Sequence, residues 1–565
     1  MVEVIISWLF IGTVCMIIGN GVFAVLEKIG LSPEVKSPIR LIMGGVVLTT
    51  VLAEIWSIFA GISLLFWIFL LMIMGICLFF FHKKILIVIQ NLFADLSTNK
   101  RITLIIFILL VAFFTSRGTF HTDTNIYHAN NIRIYEEIGL IKGMANLQWQ
   151  FGYNSSYLAF ASVFSFGWLF SNPIHTTTGF LELIIGFWAI IGASGFNRHK
   201  RHVADMCKVG IIVYILVIIT GSMSPATDYG AMLVSAYIIS RWMEACENKA
   251  DVSEYALLSV LAVFGMTMKI STTMLVIAAL YPLICLIHSK MYKKIIGYVF
   301  LGILQVIPFF VRNYLISGWL VYPFSRINIF NPDWKIPKEV VDYDAAQITT
   351  WGRELCDAKL IDTPFNEWIS IWWSARQYYE KMLIYSCVIG VIVLLGIKIS
   401  ELITKGRKSF LLKTFIMYLS ILMSIILWFA EAPFIRYGLA FILFIPLMAI
   451  GELLSREIKG VYKVIAANFI IVIILCITPY LDDYVEDFGV FMKHNIKEPY
   501  YLLQKNYDYQ ETDTIDVGGI SIAVPILGEL NSYYSYPSSA YEREVKMIEA
   551  IGTGIEDGFK SVREY

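Results

Sequence analysis

Long apolar runs recur along most of this sequence, and they constrain its fold more than any other feature. Of its 565 residues, 58% are hydrophobic and only 16% are charged, against about 25% charged residues in soluble domains. Runs of roughly 17–25 apolar residues match the thickness of a bilayer. We predict an all-α polytopic membrane protein with about 14 transmembrane helices, near 4–26, 39–60, 62–82, 102–118, 176–196, 209–224, 227–245, 254–270, 272–288, 294–314, 382–402, 411–429, 436–454 and 463–480.

The distribution of basic residues predicts the orientation of these helices. Lys and Arg are retained on the cytoplasmic side in short loops. With this segmentation the basic loops all fall on one side, at 28–40, 83–101, 198–201, 290–294, 405–413 and 456–463. The amino terminus, the long loops 119–175 and 317–380, and the tail 481–565 then face outward. We expect a bacterial cytoplasmic (inner) membrane protein whose active site faces the extracytoplasmic side.

One apolar run does not fit a spanning helix in this scheme. Residues 153–172 are apolar and aromatic, yet the basic loops place both of their ends outside. We interpret the run as a helix that lies in the membrane interface or re-enters the membrane. The alternative is a true span, which would invert the orientation of everything after it.

Loop sizes divide the chain into five parts. Three accessory helices come first, and a seven-helix module with the outer loop 119–175 follows. The short strand patterns at 514–517 and 519–525 indicate a small extracytoplasmic appendage without a full core of its own. The predicted parts are 1–100, 101–316, 317–380, 381–480 and 481–565.

Several classes of protein are disfavoured by what the sequence contains. Its eight cysteines are scattered and form no close Cys-x-x-Cys pair, so neither a disulfide framework nor a zinc site is indicated. There is no nucleotide-binding glycine motif. The first apolar run has an acidic flank, which is typical of a retained helix and not of a signal peptide. Net charge is zero, and nucleic acid is not an expected partner.

A polar, histidine-bearing stretch opens the first outer loop. Asp123 lies between His121 and the pair Tyr127-His128. A carboxylate near the membrane and beside aromatic rings can have a raised pKa and act as a general base. The structural alternative is that Asp123 caps a helix at 124–138. The histidines could hydrogen-bond substrate, order Asp123, or bind a divalent metal with it, although no cofactor is predicted firmly.

Further candidates lie at the outer ends of later helices. Asp228 begins one helix and is a second acid for the site or a helix cap. Lys269, Arg312 and Arg436 are basic residues on the outer side, against the general trend. A phosphate group at the membrane surface would explain them; snorkelling to lipid headgroups or pairing with acids is the alternative. Asn146, Gln150 and Asn154, in an aromatic-rich segment, are candidate substrate-binding residues.

This arrangement resembles the GT-C superfamily of membrane glycosyltransferases. In those enzymes a first helix runs outward into a long loop with an essential acid, and a second large outer loop follows the seventh helix. Here 102–118, 119–175, 294–314 and 317–380 would take these positions. The resemblance covers about 100–380 and rests on topology and one acid.

Local motifs resemble a narrower group more closely. They are Asp123-Thr-x-x-Tyr-His128, Gly143-x-Ala-Asn-Leu147, Phe151-x-Tyr-Asn-Ser155, Lys269-Ile-Ser271 and Arg312-Asn313 with Tyr322-Pro323. Together they are similar to a family of bacterial polytopic membrane proteins of unassigned activity that are themselves thought to be GT-C-like. By this resemblance Asp123 corresponds to the catalytic acid, and Asp228 to an acid that helps bind metal in some relatives. The chain lacks a clear Asp-x-Asp or Glu-x-Asp pair, which favours a metal-free mechanism.

Two classes of function remain open from the sequence. The first is an inverting glycosyltransferase that moves a sugar from a polyprenyl-phosphate donor to a glycan, lipid or protein acceptor. Asp123 would be its base and the outward cations would hold the donor phosphate. The second is a surface-polysaccharide polymerase, or a flippase or transporter for a lipid-linked glycan. A transporter should show internal symmetry and charges deep in the bundle, whereas here they lie at helix ends.

Overall fold

The computed structural model describes residues 1–92, 96–193, 202–405, 412–455 and 502–562. Within these ranges the chain is mainly helical, with a few short strands near its end. The helices before the first outer loop are α1 (Val2–Lys28), α2 (Pro38–Ser57), α3 (Leu64–Leu92) and α4 (Thr98–Arg117). These four helices coincide with the first four apolar runs, so each predicted span in this part of the chain forms a helix.

The middle of the chain alternates short loop helices with long ones. The loop helices are α5 (Ala129–Glu137), α6 (Met144–Leu147) and α7 (Ser156–Val163). The longer helices are α8 (Thr177–Gly192), α9 (His202–Ile218), α10 (Thr227–Glu247), α11 (Val252–Met268), α12 (Leu280–His288, continuing the 3₁₀ segment Ile270–Ala279) and α13 (Tyr292–Ser317).

The second outer loop and the last helices follow. The loop contains α14 (Lys338–Gly352) and α15 (Phe365–Ala375). Beyond it lie α16 (Tyr378–Lys405), α17 (Leu412–Glu431) and α18 (Ile435–Leu454). The tail holds β1 (Thr512–Val517), β2 (Ile520–Pro525), α19 (Glu542–Val545), β3 (Ile548–Ala550) and β4 (Phe559–Ser561).

The helices confirm a polytopic α-helical membrane architecture. Within the described residues, ten helices are long and apolar enough to cross a membrane, and Thr177–Gly192 and Val252–Met268 are shorter apolar helices. Every predicted span up to 454 coincides with a helix. The predicted span 463–480 lies outside the described residues. The described residues therefore contain ten candidate spans, and the count of about 14 stays a prediction.

Ion pairs gather at one end of the helix bundle, which we call the basic end. Arg40 at the start of α2 lies 2.8 Å from Glu254 at the start of α11. Arg241 near the end of α10 lies 2.9 Å from the same carboxylate. Lys208 in α9 lies 2.7 Å from Glu244. These helix ends adjoin loops that are predicted to be cytoplasmic. The structure therefore places those loops at the same end of the bundle, as expected if successive spans alternate in direction.

The apolar run 153–172 does not form a spanning helix. Its helix α7 has eight residues, about 12 Å at 1.5 Å per residue, whereas the hydrocarbon core of a bilayer is about 30 Å thick. All eight residues are buried inside the protein. The run is thus a short internal helix beside the first outer loop, and the alternative of a true span is wrong.

The predicted strands in the tail are present. β1 and β2 pair as an antiparallel hairpin with Val517 opposite Ile520. The two residues between them, Gly518 and Gly519, have φ of 63° and 90°, a combination that suits the tight turns whose twist matches a hairpin. β3 and β4 form a second antiparallel pair, which the sequence did not indicate.

The tail packs its apolar residues against the first outer loop. Val517, Ile520 and Ile522 of the hairpin share a hydrophobic cluster with Leu147 and Phe151 of the loop. Burial of apolar surface is the main favourable term in packing. The tail and the first outer loop therefore share one core, so the tail is an appendage whose stability depends on the loop.

Candidate functional site

The beginning of the first outer loop is hydrogen-bonded to the segment between α9 and α10. The Thr119 amide donates to the Thr220 carbonyl at 2.8 Å, and the His121 amide donates to the Ser224 hydroxyl at 2.7 Å. Asp123 then precedes a π-helical turn, Thr124–His128, and its side chain makes no capping hydrogen bond to that turn. Its carboxylate is therefore available to other elements, and the helix-cap interpretation of Asp123 is wrong.

Arg436, at the start of α18, connects the predicted acids. Its Nη2 lies 3.3 Å from Asp123 Oδ2, and its Nε lies 3.5 Å from Asp228 Oδ2. Its Nη1 also contacts His121 Nε2. The planar guanidinium offers several donors in fixed directions, so one side chain joins two carboxylates and an imidazole from two different helix ends.

Lys269 completes the cluster from the end of α11. Its ammonium group contacts Asp228 Oδ1 and lies 4.0 Å from the centre of the Tyr437 ring. The Tyr437 hydroxyl accepts a hydrogen bond of 3.1 Å from Arg436 Nη2. Tyr437 was not predicted; its only sequence signal is its position directly after an outward arginine. We call His121, Asp123, Asp228, Lys269, Arg436 and Tyr437 the acid–base cluster.

The side chains of the acid–base cluster differ in exposure. Arg436 is 36% exposed and Asp123 25%, while Lys269 is 22% and Asp228 only 7% exposed. Asp228 is therefore the most deeply buried of these four side chains, and its carboxylate balances the charge of Lys269. Asp123 and Arg436 lie at the accessible side, where a ligand can reach both.

The protonation states follow from these contacts. The pKa of His121 is lowered to about 4: burial lowers it most, Asp123 opposes this effect, and Arg436 and Lys269 add to the lowering. His121 is thus neutral at pH 7. Its Nδ1 accepts a hydrogen bond of 3.1 Å from the Asp123 backbone amide and lies 3.6 Å from Asp123 Oδ2, while its Nε2 contacts Arg436 Nη1. The imidazole thus lies between the Asp123 backbone and the guanidinium, and its ordering of the Asp123 side chain stays a prediction.

Asp123 differs from the expectation of a raised pKa. Burial raises the pKa of this carboxyl, but His121, Arg436, His128 and Lys269 lower it, and the net direction is downward. Nearby cations stabilise the charged form of a carboxylate. The aromatic neighbours of Asp123 suggest a raised pKa, but the guanidinium of Arg436, from more than 300 residues later in the chain, lies beside the carboxylate.

Tyr127 and His128 lie behind Asp123 in the π-helical turn. Their rings are 4.3 Å apart, and both residues are buried. Burial lowers the pKa of His128 to about 3. Neither ring nitrogen of His128 has a hydrogen-bond partner within the described residues. His128 is therefore a neutral, buried imidazole beside Asp123.

The arrangement disfavours a divalent metal at His121, Asp123 and His128. Across the described ranges, no group of three or more His, Cys, Asp or Glu side chains is placed to hold a metal ion. The carboxylates of Asp123 and Asp228 are each within 3.5 Å of Arg436. A guanidinium in that position competes with a cation for the same oxygens.

Arg312 belongs to a separate cluster. It is 2% exposed, and its guanidinium lies 4.1 Å from the centre of the Tyr135 ring. Its Nη1 donates to the Gly139 carbonyl at 3.1 Å and to Ser57 Oγ. The structure therefore does not bring Arg312 to Asp123; its contacts tie α13 to α2 and to the first outer loop.

The three predicted amides make structural contacts. Asn146 Nδ2 donates to the carbonyls of Trp334 at 2.8 Å and Phe559 at 3.3 Å. Gln150 Nε2 donates to the Tyr541 hydroxyl at 2.7 Å. Asn154 Nδ2 donates to the Phe309 carbonyl at 3.0 Å. They hold the first outer loop to the second loop, the tail and α13, and none contacts the acid–base cluster.

Comparison with known proteins assigns a family. The family described as "Domain of unknown function (DUF8201)" matches residues 1–443. The chain belongs to the DUF8201 family. No curated protein and no solved structure matches the chain. The DUF8201 match includes every residue of the acid–base cluster, from His121 to Tyr437, and ends before the tail.

Proposed function

We propose that this protein is an inverting glycosyltransferase that uses a polyprenyl-phosphate sugar at the outer face of a bacterial cytoplasmic membrane. The observation that carries the proposal is the convergence of Asp123, Asp228, Lys269 and Arg436 from four separate helix ends. A transferase of this kind needs a base for the acceptor hydroxyl and cations for the donor phosphate. Here a carboxylate and an arginine are the most exposed members of one cluster.

The base and the phosphate site are electrostatically coupled in this arrangement. In the free protein Arg436 and Lys269 lower the pKa of Asp123, which weakens it as a proton acceptor. A donor phosphate that pairs with the guanidinium would offset this positive charge and raise the basicity of the carboxylate. General bases work best when their pKa approaches the working pH. Asp123 therefore becomes an effective base only after the donor has bound.

The transfer step uses these groups in sequence. Asp123 accepts the proton of the acceptor hydroxyl as its oxygen attacks the anomeric carbon. The bond from that carbon to the phosphate oxygen breaks with inversion, and the charge on the leaving phosphate rises. Arg436 and Lys269 stabilise that charge at a site already oriented for it. The acceptor is a glycan, lipid or protein hydroxyl, covered by the second outer loop and the tail.

The decisive experiment measures transfer by the full chain in nanodiscs, with a panel of prenyl-phosphate sugars as donors and a membrane glycolipid extract as acceptor. Asp123→Asn should reduce turnover by at least 100-fold, since a general base contributes about 10²–10⁴, with an unchanged melting temperature. Asp362→Asn, at an exposed position in the second outer loop, is the matched control and should leave turnover intact. Retained activity in Asp123→Asn would remove Asp123 as the base.

Product length separates the transferase from the polymerase alternative. A transferase adds one sugar to each acceptor, whereas a polymerase gives a ladder of products in the same assay. A flippase or transporter gives no covalent product and moves labelled lipid-linked glycan across proteoliposomes. Single addition that depends on Asp123 supports the proposal, and either of the other results replaces it.

A further inference from the structure

A second buried acid lies on the other side of the first outer loop from the acid–base cluster. Asp344, in α14 of the second outer loop, is 1% exposed. Its Oδ1 accepts a hydrogen bond of 2.5 Å from the Tyr153 hydroxyl. Its Oδ2 and the buried Tyr322 hydroxyl lie close enough to influence each other's pKa, but neither atom has a well-aligned hydrogen-bond partner within the described residues. Buried polar groups normally have partners, so both atoms are available to a ligand that offers better geometry.

Asp344 also lacks a positive partner. No Lys or Arg of the described chain forms an ion pair with it, in contrast to Asp123. Burial raises its pKa to about 7, although the Tyr153 and Tyr322 hydroxyls lower it. Five tyrosines lie within electrostatic range of Asp344: Tyr153 and Tyr322 from the loops, Tyr127 from the π-helical turn, Tyr437 from α18 and Tyr541 from the tail. One further acid, Glu544 of α19, interacts electrostatically with Tyr322 and Tyr541.

Two tyrosines connect this acid with the acid–base cluster. Both Asp123 and Asp344 raise the pKa of the Tyr127 hydroxyl, after the larger effect of burial. The Tyr127 ring is 5.7 Å from that of Tyr153, which in turn holds Asp344. Tyr437, a member of the acid–base cluster, is likewise within electrostatic range of both carboxyls. The two acids thus lie on opposite sides of one tyrosine-lined region between the outer loops.

We propose that Asp344 is a second substrate-binding acid of this site, and that its Oδ2 atom hydrogen-bonds a hydroxyl group of the transferred sugar. The inference rests on the proposed function and adds the place where the sugar ring is held. A sugar presents apolar C–H faces and polar hydroxyl edges. Tyrosine rings beside a carboxyl oxygen that lacks a well-aligned partner match both, in the way that apolar pockets use a few placed polar groups.

The position of Asp344 in the second outer loop implies movement on binding. At 1% exposure its carboxyl is reached only when α14 moves away from the first loop. Closure of a loop over substrate excludes water and completes a binding site. The second outer loop would first move away to admit the sugar and then close over it. On closure, Asp344 would bind the sugar in place of part of its present contact with the first outer loop.

The test compares two ligands on the full chain in nanodiscs. Farnesyl phosphate probes the phosphate site alone, and a panel of farnesyl-phosphate hexoses and pentoses adds the sugar. The wild-type protein should bind at least one sugar-bearing compound more tightly than farnesyl phosphate. Asp344→Ala should weaken the sugar-bearing compound about tenfold, as expected for loss of one or two hydrogen bonds, and leave farnesyl phosphate unchanged.

Two further variants keep the test informative if Asp344→Ala does not fold. Asp344→Asn keeps the shape of the neutral carboxyl and should bind the sugar-bearing compound as wild type does at pH 6. Asp342→Asn makes the same change on the same helix, at an exposed acid paired with Lys338, and should change neither affinity.

The outcomes separate this inference from the proposed function. Equal affinity of the wild type for both kinds of ligand, or equal losses for both in the Asp344 variants, overturns the assignment of Asp344 alone. Failure of the wild type to bind any of the prenyl phosphates overturns the proposed function and the sugar site with it. A loss confined to the sugar-bearing ligand supports both.

Discussion

At the scale of single residues, Tyr437 makes two contacts, and one substitution can remove the first while leaving the second in place. Its hydroxyl accepts a hydrogen bond from Arg436, while its ring lies beneath the Lys269 ammonium. Tyr437→Phe removes the first contact and keeps the second. We expect the KM for the prenyl-phosphate donor to rise about fivefold, since a hydrogen bond to a charged group contributes about 1 kcal/mol or more, with little change in kcat.

The control for Tyr437→Phe is Tyr385→Phe, at an exposed position of α16 remote from the acid–base cluster. It should leave both kinetic constants unchanged. A fall in kcat without a change in KM would contradict the role of Tyr437 in holding Arg436 for the phosphate. Steady-state kinetics with varied donor concentration distinguishes the two results.

If Asp344 binds the sugar, the affinity for the sugar-bearing donor should depend on pH. Its pKa is raised to about 7, so the neutral carboxyl, which can donate a hydrogen bond to a sugar hydroxyl, predominates below pH 7 and is lost above it. We expect the affinity for the sugar-bearing donor to fall between pH 6 and pH 8. Asp344→Asn, which cannot ionise, should flatten this fall, as measured by titration at each pH. Persistence of the full fall in Asp344→Asn would assign it to another group.

The acids and cations of the acid–base cluster could be predicted from the sequence because of their positions at helix ends. Asp123, Asp228, Lys269 and Arg436 each adjoin a helix end, and alternating spans bring such ends to one face. Arg312 also adjoins a helix end, but its guanidinium turns inward to Tyr135 and Gly139. Asp344 lies in a helix of the second outer loop, where neither hydrophobic periodicity nor the neighbouring residues in the sequence indicate what its side chain contacts. The direction of side chains inside the loops therefore could not be predicted from the sequence.

At the scale of elements, one of the contacts between α5 of the first outer loop and the tail involves a buried acid, Glu136. The Glu136 carboxylate accepts hydrogen bonds from Tyr533 of the tail and from Ser165 after α7. The Arg133 guanidinium lies 5.2 Å from the centre of the same Tyr533 ring. Burial raises the pKa of Glu136 to about 7, although its two hydrogen bonds lower it.

This acid should make the attachment of the tail sensitive to pH. The folded protein holds the Glu136 proton up to about pH 7, while in the unfolded chain the carboxyl ionises near 4.5. Stability falls with rising pH wherever the folded state binds more protons. We therefore expect its contribution to be complete below about pH 4.5 and to decline as the pH rises to about 7.

Melting temperature measured from pH 5 to pH 8 tests this expectation. Wild type should lose stability across the range, and Glu136→Gln should reduce the loss and be more stable than wild type at pH 8. Glu137→Gln is the matched control, because Glu137 is the next residue and forms an exposed ion pair with Arg133. An identical pH profile in wild type and Glu136→Gln would show that another group governs the attachment.

The secondary structure of the tail was predicted better than its packing. The strand patterns at 514–517 and 519–525 predict the two strands, which the structure pairs as the hairpin of β1 and β2. Its partner surface comes from Leu147 and Phe151, which lie more than 360 residues earlier in the chain. No local pattern encodes a contact of that range, so the shared core could be recognised only in three dimensions.

At the scale of the whole molecule, the two ends of the bundle are chemically distinct. Ion pairs between basic residues and glutamates close one end, and the outer loops, the tail and the acid–base cluster occupy the other. Positive residues favour the cytoplasmic side. The proposed orientation therefore places the exposed Cys356 of the second outer loop outside the cell.

Thiol labelling tests the orientation directly. A membrane-impermeant maleimide should label wild-type protein in intact cells, and Cys356→Ser should abolish that labelling. Ser289→Cys, at an exposed position of the basic end, placed in the Cys356→Ser background, should be labelled only after the membrane is permeabilised. Labelling of Ser289→Cys in intact cells would invert the orientation.

The contact between Asp123 and Arg436 joins positions 313 residues apart. A membrane protein is synthesised from its amino terminus and its helices are inserted as they emerge. The nascent chain therefore carries an acid without its cation until α18 has been made and inserted, after nearly all of the other helices. Under the proposed function, a chain synthesised only as far as α17 lacks Arg436 and therefore has no guanidinium beside Asp123 to hold the donor phosphate. The pairing of these two side chains is thus established late in biogenesis, once α18 has been inserted.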